Sequence, residues 1–267
     1  MKILGRPPAA LLRAFMQSPA LLAASVRAFG LVENPVGFLW NYLTKTSPAS
    51  RCVRFRDGLT IHLPGEAEDI VTIFLVFMRR DYGFVPAGTD VVDIGANIGV
   101  FSLYAARQGA ARVIACEPGL ATSELLRRNI EANGLQDVIT LVKEAVTNDA
   151  GGIVKFPVAA NANTSIPTGD FDGETEEVRT TTLNEIVDRF ELRNISVLKM
   201  DCEGSEYPIL LETDDLNLQP VQAVRMEYHN GQVDQLSKKL SAAGLQMTEH
   251  TIVNPHHGQL CFERRAA

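Results

Sequence analysis

Residues 90–101, DVVDIGANIGVF, predict a buried strand that turns sharply into a helix. The first apolar run suits a parallel strand, and the apolar spacing from residue 100 onward is that of a helix. Gly95 and Gly99 permit the tight turn between the two. This unit constrains the fold more than any other segment, because it predicts a sheet edge at which backbone meets a ligand.

Asp93 restricts the kinds of ligand that this turn can bind. A pyrophosphate would bind the amides that open the helix, but a carboxylate at the mouth of the same turn repels a phosphate. S-adenosylmethionine carries an ammonium and a sulfonium and has no phosphate. The turn therefore favours S-adenosylmethionine as the cofactor, and the lack of a three-glycine arrangement disfavours a nicotinamide dinucleotide.

Apolar strand candidates alternate with helical segments from residue 90 onward, which is typical of a mostly parallel, doubly wound α/β sheet. The predicted strands cover residues 91–94, 112–116, 138–142, 196–200, 223–227, 247–253 and 259–263.

Three regions are expected along the chain. Residues 1–50 are punctuated by prolines and predict a helical arm, and residues 51–89 predict a hairpin about Asp57-Gly58 and then a helix over 66–80. Residues 90–267 form the predicted core. Within it, residues 157–176 predict a long loop that is either mobile or part of the substrate-binding surface.

Charge is unevenly distributed. Residues 1–56 hold eight Lys or Arg against one acid, whereas the remainder holds 17 bases against 31 acids. The acidic main part argues against a nucleic-acid substrate. The basic N-terminus can contact anionic lipid as a peripheral arm, or pack on the core or a second subunit.

The four cysteines are scattered singly, which favours a reducing compartment and a cytoplasmic protein. No stretch is apolar and long enough to predict a transmembrane helix.

Further acidic residues follow two of the predicted strands. Glu117 ends the second core strand and is placed to accept the ribose hydroxyls of an adenosine. In residues 198–206, LKMDCEGSE, three carboxylates fall within six positions, and like charges so close need relief from a cation, a proton or a hydrogen bond. Lys199 or a divalent metal can supply that relief.

These motifs resemble the FkbM family of S-adenosylmethionine-dependent methyltransferases. The resemblance is carried by VVDIGANIGVFSLYAA at 91–106 and by LKMDCEGSE at 198–206, and it covers roughly residues 52–264. It implies a Rossmann-like class I methyltransferase fold with a seven-stranded sheet and a small N-terminal helical and hairpin subdomain. It also implies methyl transfer to hydroxyl oxygens of sugars or secondary metabolites, and so a small-molecule or glycan acceptor.

The resemblance also implies site residues. The methionyl part of the cofactor is expected against Asp93, Gly95, Asn97 and Gly99, and the ribose against Glu117. Glu144 and Ala145 are expected at the edge of the adenine. Tyr82 either closes over the cofactor or anchors the linker before the core.

Methyl transfer requires a group that removes the acceptor's proton. Asp201 follows the fourth core strand on the side of the transferred methyl in this fold, with Glu203 beyond it. His229 follows the next strand and has the ordinary pKa best suited to a base near neutral pH. Alternatively, Asp201 and Glu227 hold Mg²⁺ or another hard cation that lowers the pKa of the hydroxyl.

Two other functions remain open at this stage, since the cofactor motifs do not specify the accepting atom. One is N-methylation of a small molecule, and the other is a non-catalytic cofactor-binding protein of the same fold. The sequence leaves the oligomeric state open.

Overall fold

The computed structural model describes residues 18–65, 68–158, 173–229 and 232–265. These residues form two compact units. One comprises the described residues up to Gly83 together with Arg128–Gly134, and the other comprises Phe84–Arg127 and the described residues from Leu135 onward.

The described part of the N-terminal unit begins with two helices, α1 (Pro19–Leu31) and α2 (Pro35–Thr44). Each starts with proline directly after a capping side chain, Ser18 or Asn34, that accepts a hydrogen bond from the first helical turn. The predicted hairpin follows as antiparallel strands β1 (Cys52–Arg54) and β2 (Thr60–His62).

The segment predicted as one helix over 66–80 has two parts in the structure. An α-helix, α3 (Glu68–Ile73), continues as a π-helix over Phe74–Arg79. Four of the six π-helical side chains are buried, and the wider helix accommodates this nearly continuous apolar run. Apolar spacing alone does not distinguish the two helix types.

The second unit contains a seven-stranded sheet, and its strand order is β11-β12-β10-β9-β3-β4-β5. The strands are β3 (Asp90–Ile94), β4 (Arg112–Cys116), β5 (Ile139–Val142), β9 (Ile195–Met200), β10 (Ala223–His229), β11 (Leu245–Asn254) and β12 (His257–Arg264). β12 runs antiparallel to both of its neighbours, and the other pairings are parallel. The predicted class I methyltransferase sheet is confirmed.

Helices connect the parallel strands. They are α4 (Val100–Arg107), α5 (Leu120–Ala132), α6 (Leu183–Arg189), α7 (Glu206–Glu212), α8 (Asp215–Leu218) and α9 (Val233–Ala242). Among the described residues, no helix is both long enough and apolar enough to span a membrane.

A three-stranded sheet lies between the two halves of the core sequence, in the order β6-β8-β7. Its strands are β6 (Ala145–Thr147), β7 (Ile153–Pro157) and β8 (Thr175–Thr182). The predicted loop over 157–176 is therefore shorter at both ends, because Pro157 closes one strand and Thr175 opens another. Most of that loop lies outside the described residues.

The order of the sheet determines where the site lies. β3, β4, β9 and β10 are neighbours or near neighbours, and the carboxyl ends of these parallel strands share one edge. The motifs at 93–99, 117 and 201–206 and the residues ending β10 are thereby brought to the same edge.

Candidate cofactor and active site

The glycine turn after β3 fits tightly against the end of β9. Gly95, Asn97 and Gly99 all have positive φ, and a Cβ added at Gly95 would lie 1.9 Å from the carbonyl oxygen of Asp201. The Asp201 amide donates to the Ile94 carbonyl at 3.1 Å. Glycine is therefore required at position 95 by the space as well as by the backbone conformation.

Asp93 is fully buried and does not lie at the mouth of the turn. Its Oδ1 lies 3.0 Å from Lys199 Nζ, and its Oδ2 accepts a hydrogen bond of 2.7 Å from Ser102. Lys199 also donates to the Gly95 carbonyl at 2.6 Å, and attraction to Asp93 and Asp201 raises the pKa of Lys199 despite the opposing effect of burial. The predicted position at the mouth of the turn is thus wrong: Asp93 fixes the turn through Lys199 and Ser102.

Glu117 ends β4 as predicted, and its carboxylate lies under the turn. One oxygen accepts from the Asn97 amide at 2.8 Å, and the other accepts from the Gly119 amide and the Thr122 hydroxyl. Burial raises the pKa of Glu117, although each of these three hydrogen bonds acts to lower it. A carboxylate has about four lone-pair sites, so the oxygen bonded to Asn97 can still accept from a ribose hydroxyl.

The three other predicted cofactor residues have different surroundings. Glu144 forms an ion pair of 2.9 Å with Arg189, and Ala145 is buried at the start of β6. Tyr82 is nearly buried in the N-terminal unit. Their roles toward a cofactor stay predictions.

Glu206 organises the loop after β9. Its buried carboxylate accepts from the amides of Cys202 and Gly204, each at 2.9 Å, and lies 3.3 Å from His229 Nδ1. Glu203, between the two amide donors, has a left-handed φ of 53°. Glu206 therefore holds the loop and the imidazole of His229 together.

His229 and two carboxylates form the centre of the predicted catalytic group. The hydrogen bond to Glu206 raises the pKa of His229 to about 9, so this imidazole carries a proton at neutral pH and its expected ordinary pKa is wrong. Its Nε2 lies 3.4 Å from Glu203. Burial raises the pKa of Asp201 to about 6, Lys199 opposes this, and the charges of Glu227 and Glu203 add to it.

His257 also joins this group. Across the antiparallel pair β10 and β12, His257 stands opposite His229, and their rings stack at 5.1 Å with 11° between planes. His257 Nε2 contacts Glu227. Nothing in the sequence joins positions 229 and 257, which only the strand register brings together.

The described residues fit S-adenosylmethionine. The carbonyl oxygen of Asp201 lies where a Cβ of Gly95 would be, so the turn and the end of β9 meet at the strand edge where open α/β sheets bind their ligands. Glu117 retains acceptor capacity for a ribose, and the surrounding carboxylates suit a ligand that is cationic at its methionyl end.

The sheet order and this strand-edge site define a class I methyltransferase. Residues 93–249 match the Methyltransferase FkbM domain family, and the chain belongs to that family. Both the predicted family and its cofactor, S-adenosylmethionine, are confirmed.

Similar proteins include an arginine N(omega)-methyltransferase of Streptomyces achromogenes subsp. streptozoticus, 41% identical over 80 residues, which are 28% of this chain. The match spans only 22% of that relative's length. Methyltransferase sdnD of Sordaria araneosa is 26% identical over 178 residues, covering 55% of this chain and 69% of sdnD. Among solved structures, M. capricolum TrmK with S-adenosyl-homocysteine has a TM-score of 0.46 at 13% identity, covering 70% of this chain and 66% of TrmK.

Proposed function

We propose that this chain transfers a methyl group from S-adenosylmethionine to a hydroxyl oxygen of a sugar or secondary metabolite. The observation that carries the proposal is the direct contact between the glycine turn and the end of β9. It sets Asp201, with Glu203 and His229 beyond it, immediately beside the proposed cofactor site.

Different residues are proposed to contact different parts of the cofactor. Gly95, Asn97 and Gly99 present backbone to the methionyl part, Glu117 binds the ribose, and Glu144 with Ala145 borders the adenine. Asp93 acts through Lys199, which it holds against the Gly95 carbonyl.

Bound S-adenosylmethionine supplies an electrophilic methyl group whose leaving group is already positively charged. The chain must therefore orient the acceptor and take its proton. Asp201, with a pKa of about 6, is ionised at neutral pH and can take the proton of the hydroxyl. The proton leaves as the bond between the hydroxyl oxygen and the methyl carbon forms, and the electrons of the broken carbon–sulfur bond stay on sulfur. His229, protonated and hydrogen-bonded to Glu206, and Glu203 position the hydroxyl.

The test separates turnover from cofactor binding. Asp201→Asn should lower the rate of methyl transfer by about 10²- to 10⁴-fold, the usual effect of losing a general base, and leave S-adenosylmethionine affinity in calorimetry nearly unchanged. His229→Ala should also lower turnover. Asp215→Asn is the matched control, because Asp215 is exposed and pairs only at the surface with Lys239. Full activity of Asp201→Asn would refute the proposed base.

A second acceptor class has one specific observation in its favour, the 41% identity of an 80-residue segment with an arginine N(omega)-methyltransferase. Labelled S-adenosylmethionine offered with arginine and with hydroxylated sugars distinguishes the two. Transfer to arginine alone would replace the proposed acceptor. Cofactor binding without turnover on any acceptor would support a non-catalytic protein. The three carboxylates around His229 disfavour phosphodiesters, and we propose no nucleic-acid acceptor.

We also propose that helices α1 and α2 contact an anionic membrane surface. Every exposed residue of these helices is apolar: Pro19, Ala20, Leu22, Ala23, Val26, Phe29, Gly30, Val36 and Trp40. The single charged residue, Arg27, instead donates to the Met78 carbonyl. An apolar outer face of this kind requires a covering partner.

Charge favours a lipid surface over a second copy of the chain. The basic charge lies in the segment that carries this apolar face: residues 18–56 contain five Lys or Arg and one acid, so anionic headgroups attract the segment whereas a second copy of it is repelled. Val26→Asp should abolish co-sedimentation with phosphatidylglycerol-containing vesicles, and Leu216→Asp should not, although Leu216 of the other unit is at least as exposed as Val26. Dimerisation lost in Val26→Asp, without vesicle binding by the unsubstituted protein, would overturn this proposal.

A further inference from the structure

The carboxyl edge of β10 holds a set of side chains suited to a metal ion. One ligand atom each from Glu227, His229 and His257 can be chosen such that all lie within 4.8 Å of one another. A second set, Asp201, Glu203 and His229, meets the same condition and shares His229. Two imidazoles and several carboxylates thus converge on one small volume beside the proposed cofactor site.

The backbone explains why the first three side chains share a face. Glu227 and His229 are two positions apart on one strand, and His257 is the cross-strand partner of His229 on β12. Side chains at such positions project from the same side of a sheet. The arrangement therefore rests on paired strands and does not depend on a loop conformation.

The orientation of His229 supplies an independent observation. Its Nδ1 lies 3.3 Å from Glu206, which has no exposed surface and is itself held by two backbone amides. With Nδ1 donating to this carboxylate, Nε2 faces Glu203 and the cluster, where a metal ion can displace the proton that the metal-free imidazole carries. A buried carboxylate behind a histidine is the usual support for a metal-binding imidazole.

We infer that Glu227, His229 and His257 bind a divalent transition metal ion such as Zn²⁺, with Asp201 and Glu203 within reach as further oxygen ligands. Two imidazole ligands favour Zn²⁺ and its neighbours in the first transition row, whereas Mg²⁺ prefers oxygen ligands alone. This differs from the hard-cation site expected at Asp201 and Glu227 from the sequence, because His257 was not placed there.

Such an ion would lie beside Asp201, the group proposed to take the acceptor's proton. A coordinated hydroxyl loses its proton more readily, so the metal would assist the same step. This role rests on the proposed function. Metal binding itself does not, and the two can be measured apart.

The experiment titrates Zn²⁺ into the protein of residues 1–267 after dialysis against a chelator, with heat as the readout. One Zn²⁺ should bind per chain, and His257→Gln should weaken that binding at least about tenfold, since even supporting residues of metal sites have effects of 10- to 100-fold. His256→Gln is the matched control, because the neighbouring His256 is exposed in the turn and outside both ligand sets. It should bind Zn²⁺ as the unsubstituted protein does.

Two further measurements keep the outcomes distinct. Glu227→Gln should weaken Zn²⁺ binding as well, and thermal melting without metal checks that each variant is folded. Mg²⁺ titrated in parallel should bind more weakly than Zn²⁺. The inference is overturned if the unsubstituted protein binds no Zn²⁺, if His257→Gln binds it equally well, or if Mg²⁺ binds more tightly. S-adenosylmethionine binding by the same chelated protein tests the proposed function separately.

Discussion

The two halves of the candidate site balance their charges in different ways. In the cofactor half, Asp93 and Lys199 form one buried pair, and Glu117 accepts three internal hydrogen bonds. In the acceptor half, several carboxylates surround two imidazoles, and the pKa of both Asp201 and Glu203 is raised, chiefly by burial. The first half is complete within the protein, whereas the second holds negative charge that a proton or a bound cation would relieve.

The strongest test of the cofactor half is Gly95→Ala. The added Cβ would lie 1.9 Å from a backbone oxygen at the end of β9, where no flexible side chain can move aside. We expect a loss of more than about 4 kcal/mol in the free energy of unfolding, in the range reserved for severe packing or backbone conflicts, and no measurable S-adenosylmethionine binding. Urea unfolding and calorimetry measure these.

Gly88→Ala is the matched control for that substitution. Its φ of 73° nearly equals the 75° of Gly95, but no atom lies within 4 Å of the position of its added Cβ. Gly88→Ala should lower the free energy of unfolding by only about 1–2 kcal/mol, which is the cost of placing alanine in the left-handed backbone conformation. Equal losses in the two variants would show that backbone conformation, and not the contact between strand ends, makes position 95 require glycine.

Asp93→Asn should have the next largest effect. It removes the negative partner of Lys199, which is almost completely buried, and breaking a buried ion pair costs about 3–5 kcal/mol. Urea unfolding measures the loss. Adding Lys199→Met to Asp93→Asn should recover part of it, because the uncompensated charge is then removed. An Asp93→Asn protein as stable as the original would contradict the pairing.

The sequence predicted the sheet, its strands and the positions of the acids, because apolar periodicity and glycine turns are local properties. It could not predict that Asp93 is fully enclosed, since the charge that neutralises it comes from a strand more than a hundred residues later. His257 was missed for the same reason, because its neighbours depend on the register between β10 and β12. The π-helix was missed because apolar spacing does not distinguish it from an α-helix.

The smallest expected effect is on stability, from Asp201→Asn in the acceptor half, which is the same type of substitution as Asp93→Asn. At neutral pH, ionised Asp201 disfavours folding, because its pKa of about 6 in the folded protein lies above the ordinary value of 3.8. Asp201→Asn should therefore leave the free energy of unfolding unchanged or raise it by up to about 1 kcal/mol. This is only a fraction of the free energy that corresponds to such a pKa shift, because Asp201 is partly exposed and solvent screens its charge. Urea unfolding at neutral pH, beside Asp93→Asn, compares the two. A loss of several kcal/mol in Asp201→Asn would mean that both halves are balanced internally, and that the acceptor half holds no excess charge for a cation to relieve.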